Sequence, residues 1–252
     1  MDSKVRLHVA GPLGAGQPVA VSRDQAHYLS GVMRLAPGDT LTVFDGAAGA
    51  WRARIDAVSK RGGALASVEQ VAPQRDPPDI WLAFAPIKKA RTDFIVEKAT
   101  ELGAARILPV STRFTNSDRI RRDRLQAHAV EAAEQCGGTF VPEVADLTSL
   151  DRLLADWPDG RALIFCDETL SADPAWSAKQ ASGADGAPSG ALPPAPATIL
   201  IGPEGGFAPE ERDRLRALPQ AHAISLGPRI LRADTAAVAA LTLWQAARGD
   251  WP

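Results

Sequence analysis

The sequence is poor in the residues that would support metal, disulfide or membrane chemistry. Only two cysteines occur in 252 residues, Cys136 and Cys166, and neither stands in a CxxC or a Cys/His cluster. A structural zinc site needs about four ligands at recognisable spacing, so no metal is expected. Two isolated thiols suit a reducing compartment, where both are expected to pack as small hydrophobes. No apolar run approaches the ~18 residues that span a bilayer. The opening Met1-Asp2-Ser3-Lys4-Val5-Arg6 alternates polar and apolar and lacks the apolar core of a secretory signal. A cytoplasmic chain with no membrane partner is therefore expected. An excess of one charge is also lacking. A net charge of −2 excludes a protein that coats nucleic acid through a general positive field, so any nucleic-acid contact must come from local patches. The four histidines, His8, His27, His128 and His222, are scattered and read as surface or structural groups rather than catalysts.

What is present is the composition of a folded protein, 45% hydrophobic and 23% charged, organised in two rhythms. Up to residue 72 the chain carries short runs of period two: Arg6–Val9, Pro18–Val21, Thr40–Phe44, Trp51–Ile55 and Leu65–Val68. Turn signals such as Gly11-Pro12, Pro37-Gly38-Asp39 and Arg61-Gly62-Gly63 separate them, which predicts a small β-barrel. One helix, Ser22 to Met33, interrupts the strands, with Ser22 as N-cap. The Pro-rich segment Val71–Pro78 is a connector, which divides the chain into domains 1–72 and 76–252. Beyond it strands and helices alternate: Ile80–Ala85, helix Arg91–Leu102 closed by Gly103, Arg106–Val110, a basic helix from about Asp118 to Gln135, then strands Ala162–Cys166, Thr198–Ile201 and Ala223–Leu226. This alternation predicts an α/β fold with a parallel sheet covered on both faces. Residues 171–197, rich in Ala, Ser, Gly and Pro, read as a flexible surface insertion.

The chemistry concentrates in two loops. In Thr198-Ile199-Leu200-Ile201-Gly202-Pro203-Glu204-Gly205-Gly206-Phe207 a buried strand runs into a Gly-rich turn, and a helix follows with Pro209 in its first turn. Ligands of open α/β sheets bind at the carboxyl ends of strands, and glycines let backbone approach a flat ligand. The loop matches neither GxGxxG nor a P-loop. Taken alone it is equally a tight turn with no ligand. A second loop, Gly227-Pro228-Arg229-Ile230-Leu231-Arg232-Ala233-Asp234, follows a strand and precedes an Ala-rich helix, Thr235–Arg248, for which Thr235 is a cap or first-turn residue. Two such loops would sandwich an adenine and bond its edge through backbone.

These two loops resemble those of the bacterial 16S ribosomal RNA (uridine-N3)-methyltransferase family, of the SPOUT class. Glu97-Lys98-Ala99-Thr100-Glu101-Leu102-Gly103, Glu131-Ala132-Ala133-Glu134-Gln135-Cys136-Gly137, Gln25–Leu29 and Val32–Leu35 agree with the same family. The likeness spans nearly the full length outside 171–197. It implies an N-terminal PUA-like barrel that helps to hold RNA, a C-terminal domain with a deep trefoil knot, and a homodimer packed through the knot region. It also implies S-adenosylmethionine as cofactor and 16S ribosomal RNA or the small ribosomal subunit as partner. The resemblance assigns the cofactor to Leu200, Ile201, Gly202, Pro203, Gly205, Gly206, Leu226, Gly227, Ile230 and Leu231.

Methyl transfer to uridine N3 requires alignment, loss of the N3 proton and stabilisation of the uridine anion. The expected catalytic residues are Arg232, Asp234 and Glu204. Arg232 stabilises the uridine or its flanking phosphate, Asp234 and Glu204 are the carboxylates nearest the pocket, and Glu204 alternatively holds the Gly-rich loop through backbone N–H groups. Arg34, Arg113, Arg121, Arg122 and Arg229 are the expected RNA contacts, the stretch from 113 to 124 being otherwise a solvated face. Lys88, Lys89 and Arg91 are further candidates for phosphate. Tyr28 and Trp51 are read as barrel packing before base stacking. Two positions depart from the family pattern: Ala233-Asp234 stands where Thr-Glu is usual, and Gly138 where an Arg is common. The competing readings are another SPOUT enzyme, acting on ribose 2′-OH or tRNA, and a catalytically silent RNA-binding assembly protein.

Overall fold

Alternation of apolar and polar residues becomes strand pairing in the first part of the chain. A computed structural model describes residues 2–59, 61–117, 119–172 and 192–251. It divides into two units, one of residues 1–76 with 130–141, the other of 77–129 with 142–252.

The first unit carries β1 (Asp2–His8), β2 (Pro18–Val21), α1 (Arg23–His27), β3 (Thr40–Phe44), β4 (Ala50–Ser59) and β5 (Gly62–Ala72). The strands form one sheet in the order β1-β3-β4-β5-β2, with β1 parallel to β3 and the other pairs antiparallel. Period two puts Leu41, Val43, Ala53, Ile55 and Leu65 into one buried cluster with Val5, Leu7 and Leu29. Trp51 packs against that cluster and donates its indole N–H to Ala48 O at 2.9 Å, whereas Tyr28 is exposed. Ser22 caps α1 reciprocally: its Oγ accepts from Gln25 N at 3.2 Å, and Gln25 Oε1 accepts from Ser22 N at 3.0 Å. The expected α-helix to Met33 is α only as far as His27. Tyr28–Val32 widens into a π turn, in which Met33 N reaches Tyr28 O, and Gly31 permits it because a Cβ there would press on the His27 ring.

The second unit carries β6 (Ile80–Phe84), α2 (Lys89–Glu101), β7 (Arg106–Ser111), the start of α3 (Arg122–Cys136), β8 (Glu143–Val144), β9 (Thr148–Ser149) and α4 (Leu150–Ala155). There follow β10 (Ala162–Cys166), a 3-10 turn (Glu168–Ala172), β11 (Ala197–Ile201), α5 (Pro209–Ala217), β12 (Ala221–Ile224) and α6 (Ala233–Arg248). Its sheet runs β12-β10-β11-β6-β7-β8, with β9 also on β7, and every pairing is parallel. All five residues of β11 are buried, as expected of a strand covered on both faces. α2 ends where Gly103 takes φ +74 and Ala104 N returns to Ala99 O. In α6 the residues Ala236, Ala237, Ala240, Leu241 and Trp244 are buried, and small side chains let this helix pack closely on α2, β11 and β6.

Three expectations change. The segment Val130–Val141, read as part of the second domain, groups with the first unit. There Arg6 Nη2 donates to Gly138 O at 2.7 Å, His8 N to Glu134 Oε1 at 2.8 Å, and Arg75 N to Thr139 Oγ1 at 3.1 Å. The reading of 171–197 as flexible fails at its far end, because Leu192 is buried and Pro193 O accepts from Trp244 Nε1 at 3.0 Å; residues 173–191 lie outside the described residues. Cys136, expected as a packed hydrophobe, is exposed. α6 begins at Ala233 with Arg232 in the cap position, which makes Thr235 a first-turn residue, one of its two expected places. No helix among the described residues is long and apolar enough to cross a membrane. None of those residues forms a group of three or more metal-ligating side chains.

Candidate functional site

β12, β10 and β11 are neighbours in one parallel sheet, so their carboxyl ends stand side by side. The loops leaving them enclose a cavity of about 340 Å³, within the roughly 300–1,000 Å³ range of small-molecule sites. The loop after β11 contributes Ile201, Gly202, Pro203, Glu204 and Gly206, and the loop after β12 contributes Leu226, Gly227, Arg229, Ile230, Leu231 and Arg232. The third wall is the segment from Cys166 through Asp167 and Glu168 to Ser171.

Each glycine of the first loop answers a different demand. At Gly202 a Cβ would crowd the Phe207 ring at 3.0 Å, and that ring is itself buried edge-on against Phe165. Gly206 closes a tight turn, its N–H donating to Pro203 O at 2.9 Å with φ at +71. Gly205, in contrast, turns to Phe114, whose Cβ would lie 3.3 Å from a Cβ at 205. α5 then starts on Pro209, and Glu211 reaches back to accept from Ala208 N at 3.0 Å and from Arg113 N at 2.8 Å. In the second loop Ser225 Oγ accepts from Gly227 N at 3.2 Å, and Gly227 takes φ +113 with no described residue within 4 Å of where a Cβ would stand. The backbone there is open to a flat ligand.

Charge is arranged in two groups. Asp167, with no side-chain exposure, faces Arg216 at 2.6 Å and Arg212 at 3.4 Å, and it also accepts from Thr169 Oγ1 at 2.7 Å. Glu168 pairs with Arg212 at 2.9 Å. On the opposite side, Arg91 in the first turn of α2 reaches Glu204 Oε1 at 3.5 Å and Asp234 Oδ2 at 3.8 Å. One guanidinium thereby links a carboxylate of the Gly-rich loop to one in the first turn of α6. Burial pushes the Cys166 thiol up to about 12, helped by the neighbouring charge of Glu168.

Of the ten residues expected to hold a cofactor, eight border the cavity. Leu200 does not: as an alternate residue of β11 it packs with Phe165, Phe207 and Leu215. Gly205 does not either, for the reason given. Among the expected catalytic residues, Glu204 and Arg232 border the cavity. Asp234 is set back from it, its Oδ1 accepting from Thr235 N at 2.9 Å. Glu204, expected near the pocket or as an anchor of the Gly-rich loop, pairs with Arg91.

The arginines expected at RNA are dispersed. Arg229 is on the cavity rim. Arg113, exposed, borders a second hollow of about 750 Å³ with Asp151 and Glu210. Arg121 pairs with Asp123 at 2.7 Å, Arg122 Nε donates to Val144 O at 2.8 Å, and Arg34 is an exposed residue of the first unit at φ +58. Sequence reasoning missed the wall at 166–171. Its signal was present, an Asp-Glu pair directly after a buried strand, but the pair lacks the glycines that drew notice elsewhere.

Comparison with known proteins gives two family models. One, described as an RNA methyltransferase domain, matches residues 74–245, and one described as an RNA methyltransferase PUA domain matches 21–65. Ribosomal RNA small subunit methyltransferase E of Synechocystis is 32% identical over 94% of this chain and 75% of its own length. The protein of that name from Rickettsia conorii is 27% identical over 94% of this chain and 93% of its own. Among solved structures, that of ribosomal RNA small subunit methyltransferase E from Neisseria gonorrhoeae bound to S-adenosyl methionine is 27% identical, covers 98% of this chain and 99% of the other, and superposes with a TM-score of 0.81. A Legionella pneumophila protein solved with bound cofactor SAM gives 29% identity, the same coverage and the same TM-score.

Proposed function

This chain belongs to the family of RNA methyltransferases that includes ribosomal RNA small subunit methyltransferase E, and from that premise we propose that it methylates N3 of one uridine in 16S ribosomal RNA with S-adenosylmethionine. The observation that carries the reading is the cavity at three adjacent strand ends, with Gly227 offering open backbone to a flat ligand. The residues suited to hold the cofactor are Ile201, Gly202, Pro203 and Gly206 on one side of an adenine and Leu226, Gly227, Ile230 and Leu231 on the other. Ile230, 77% exposed, gains an apolar partner when the cavity fills.

When bound, S-adenosylmethionine supplies a methyl group on a sulfonium, whose departure needs no proton. The chain's own work is to align the uridine, take the N3 proton and hold the resulting anion. Arg232 on the cavity wall balances the uridine charge, and Arg229 holds flanking RNA. Glu204, bordering the cavity, accepts the N3 proton. Asp234 shares Arg91 with Glu204 and so positions it. Arg34, Arg113, Arg121 and Arg122 serve as phosphate contacts. The Gly-rich turns of the first unit's sheet suit a PUA-like barrel that helps to hold the RNA. The family resemblance further supports a C-terminal trefoil knot, a homodimer packed through it and a cytoplasmic location.

The test is methyl transfer from labelled cofactor to small ribosomal subunits lacking the modification, followed by nucleoside mass spectrometry. The expected product is 3-methyluridine. A 2′-O-methyl product, or transfer to tRNA alone, would replace this reading with another enzyme of the class. Absence of both transfer and cofactor binding would leave an RNA-binding protein.

A further inference from the structure

Two acidic residues leave β10, and β10 lies directly beside β11, from which the Gly-rich loop departs. An acid at the carboxyl end of the strand next to a Gly-rich turn is the arrangement by which dinucleotide-binding sheets take a ribose. The glycines admit the ligand, and the carboxylate accepts from a sugar hydroxyl. The two acids here are not equivalent. Asp167 has no side-chain exposure and is committed to Arg212, Arg216 and Thr169. Glu168 borders the cavity, keeps 30% side-chain exposure and gives one oxygen, Oε1, to Arg212 at 2.9 Å. Arg212 is itself anchored by donating to Phe207 O at 3.0 Å. The carboxylate rests against Gly206: a Cβ there would collide with Oε1, while Oε2 stands 3.6 Å off.

We infer that Glu168 reads the ribose of the cofactor, its Oε2 accepting a hydrogen bond from a hydroxyl of the adenosine sugar while Arg212 orients it through Oε1. This rests on the S-adenosylmethionine reading of the cavity. The sugar is the same before and after transfer, so Glu168 contributes affinity for donor and product alike and leaves the chemical step unaided. It also explains Gly206 by two demands at once, the left-handed turn and the room for a carboxylate that must face the ligand.

The experiment is calorimetric titration of the full chain with S-adenosylhomocysteine and with its 2′-deoxy and 3′-deoxy counterparts, in wild type, Glu168→Gln and Glu168→Ala. Wild type should lose about tenfold or more in affinity for one of the deoxy ligands, because hydrogen bonds to ionised groups are the stronger kind. Glu168→Ala should bind the parent ligand about tenfold or more weakly and no longer distinguish it from that deoxy form. Glu168→Gln, which keeps an acceptor without the charge, should fall between. Both variants retain the Asp167 and Phe207 anchors of Arg212, and an unchanged circular dichroism spectrum checks their fold. Equal discrimination in wild type and Glu168→Ala, or none in wild type, overturns the assignment. Failure of wild type to bind any of the three overturns the cofactor reading as well.

Discussion

Replacing Gly227 by alanine separates what the loop costs from what the cavity holds. At φ +113 an alanine is strained by about 1–3 kcal/mol, and the Ser225 Oγ contacts to both the N–H and the carbonyl of residue 227 keep the loop from relaxing away. No atom of the described residues lies within 4 Å of the added Cβ, so no clash with them adds to the strain. For a domain of 150–250 residues each kcal/mol lowers the melting midpoint by roughly 2–4 °C, which predicts a fall of about 2–12 °C. Gly227 also borders the cavity, so the added methyl is expected to meet a bound ligand. Accommodating it against a bound ligand costs about another 1–3 kcal/mol, as overpacking does, or a roughly 5–150-fold loss of affinity. Thermal unfolding of the ligand-free protein measures the first quantity, and titration with S-adenosylmethionine measures the second. An unchanged midpoint would refute the backbone argument. A lowered midpoint with unchanged affinity would mean that residue 227 does not border the bound ligand.

Other outcomes follow from the same geometry. Arg232→Ala should bind S-adenosylmethionine as wild type does and lose methyl transfer by at least a hundredfold, about what one charge-stabilising group contributes; normal turnover would remove Arg232 from the mechanism. At pH 8 iodoacetamide should alkylate exposed Cys136 and spare Cys166, because a thiol pushed up to about 12 is only about one part in 10⁴ thiolate there; peptide mass spectrometry reads both sites. Partial burial opposes ionisation of Asp45, but the backbone N–H groups of Ala48, Ala47 and Leu13 outweigh it and hold its carboxyl below 3.8. A lowered folded value stabilises at neutral pH and is lost as pH falls through it. Asp45→Ala should therefore cost about 1 kcal/mol at pH 7, like the loss of a helix cap, and less as the pH is lowered toward 2, as judged by urea unfolding. An equal cost at both pH values would contradict the assignment.

The strands were legible because burial on one face writes itself as period two, as in Leu41 and Val43 of β3. The cap at Ser22 was legible because Gln25 stands three residues on. β12 was read two residues late, as Ala223–Leu226, because its apolar run continues past Ile224, where the Ser225 side chain bonds Gly227 and takes the chain out of the sheet. Gly205 and Gly206 are indistinguishable in sequence and face Phe114 and Glu168 in the fold. Two of the three cavity walls announced themselves by glycine. The third is built from Asp167 and Glu168, whose meaning depends on strand order, and no local pattern encodes which strand will lie next to which. For the same reason Val130–Val141 could not be assigned to the first unit, since Arg6 and Gly138 meet across a long stretch of chain.

The order of that sheet also governs when the protein becomes competent during its synthesis. β11 sits between β10 and β6, yet it is made after both, so the nascent sheet lacks its central strand until residue 201 has left the ribosome. The cavity needs still more, since Arg232 and Ala236 line it. Local helices such as α2 can form early, but the parallel pairings join distant segments and form slowly. A nascent chain is thus left holding unpaired strand edges at β6 and β10, a state prone to misassociation. Acquisition of the ligand pocket then becomes one of the last events in the life of the folding chain, and a cofactor that binds only the finished sheet pulls the whole process toward completion.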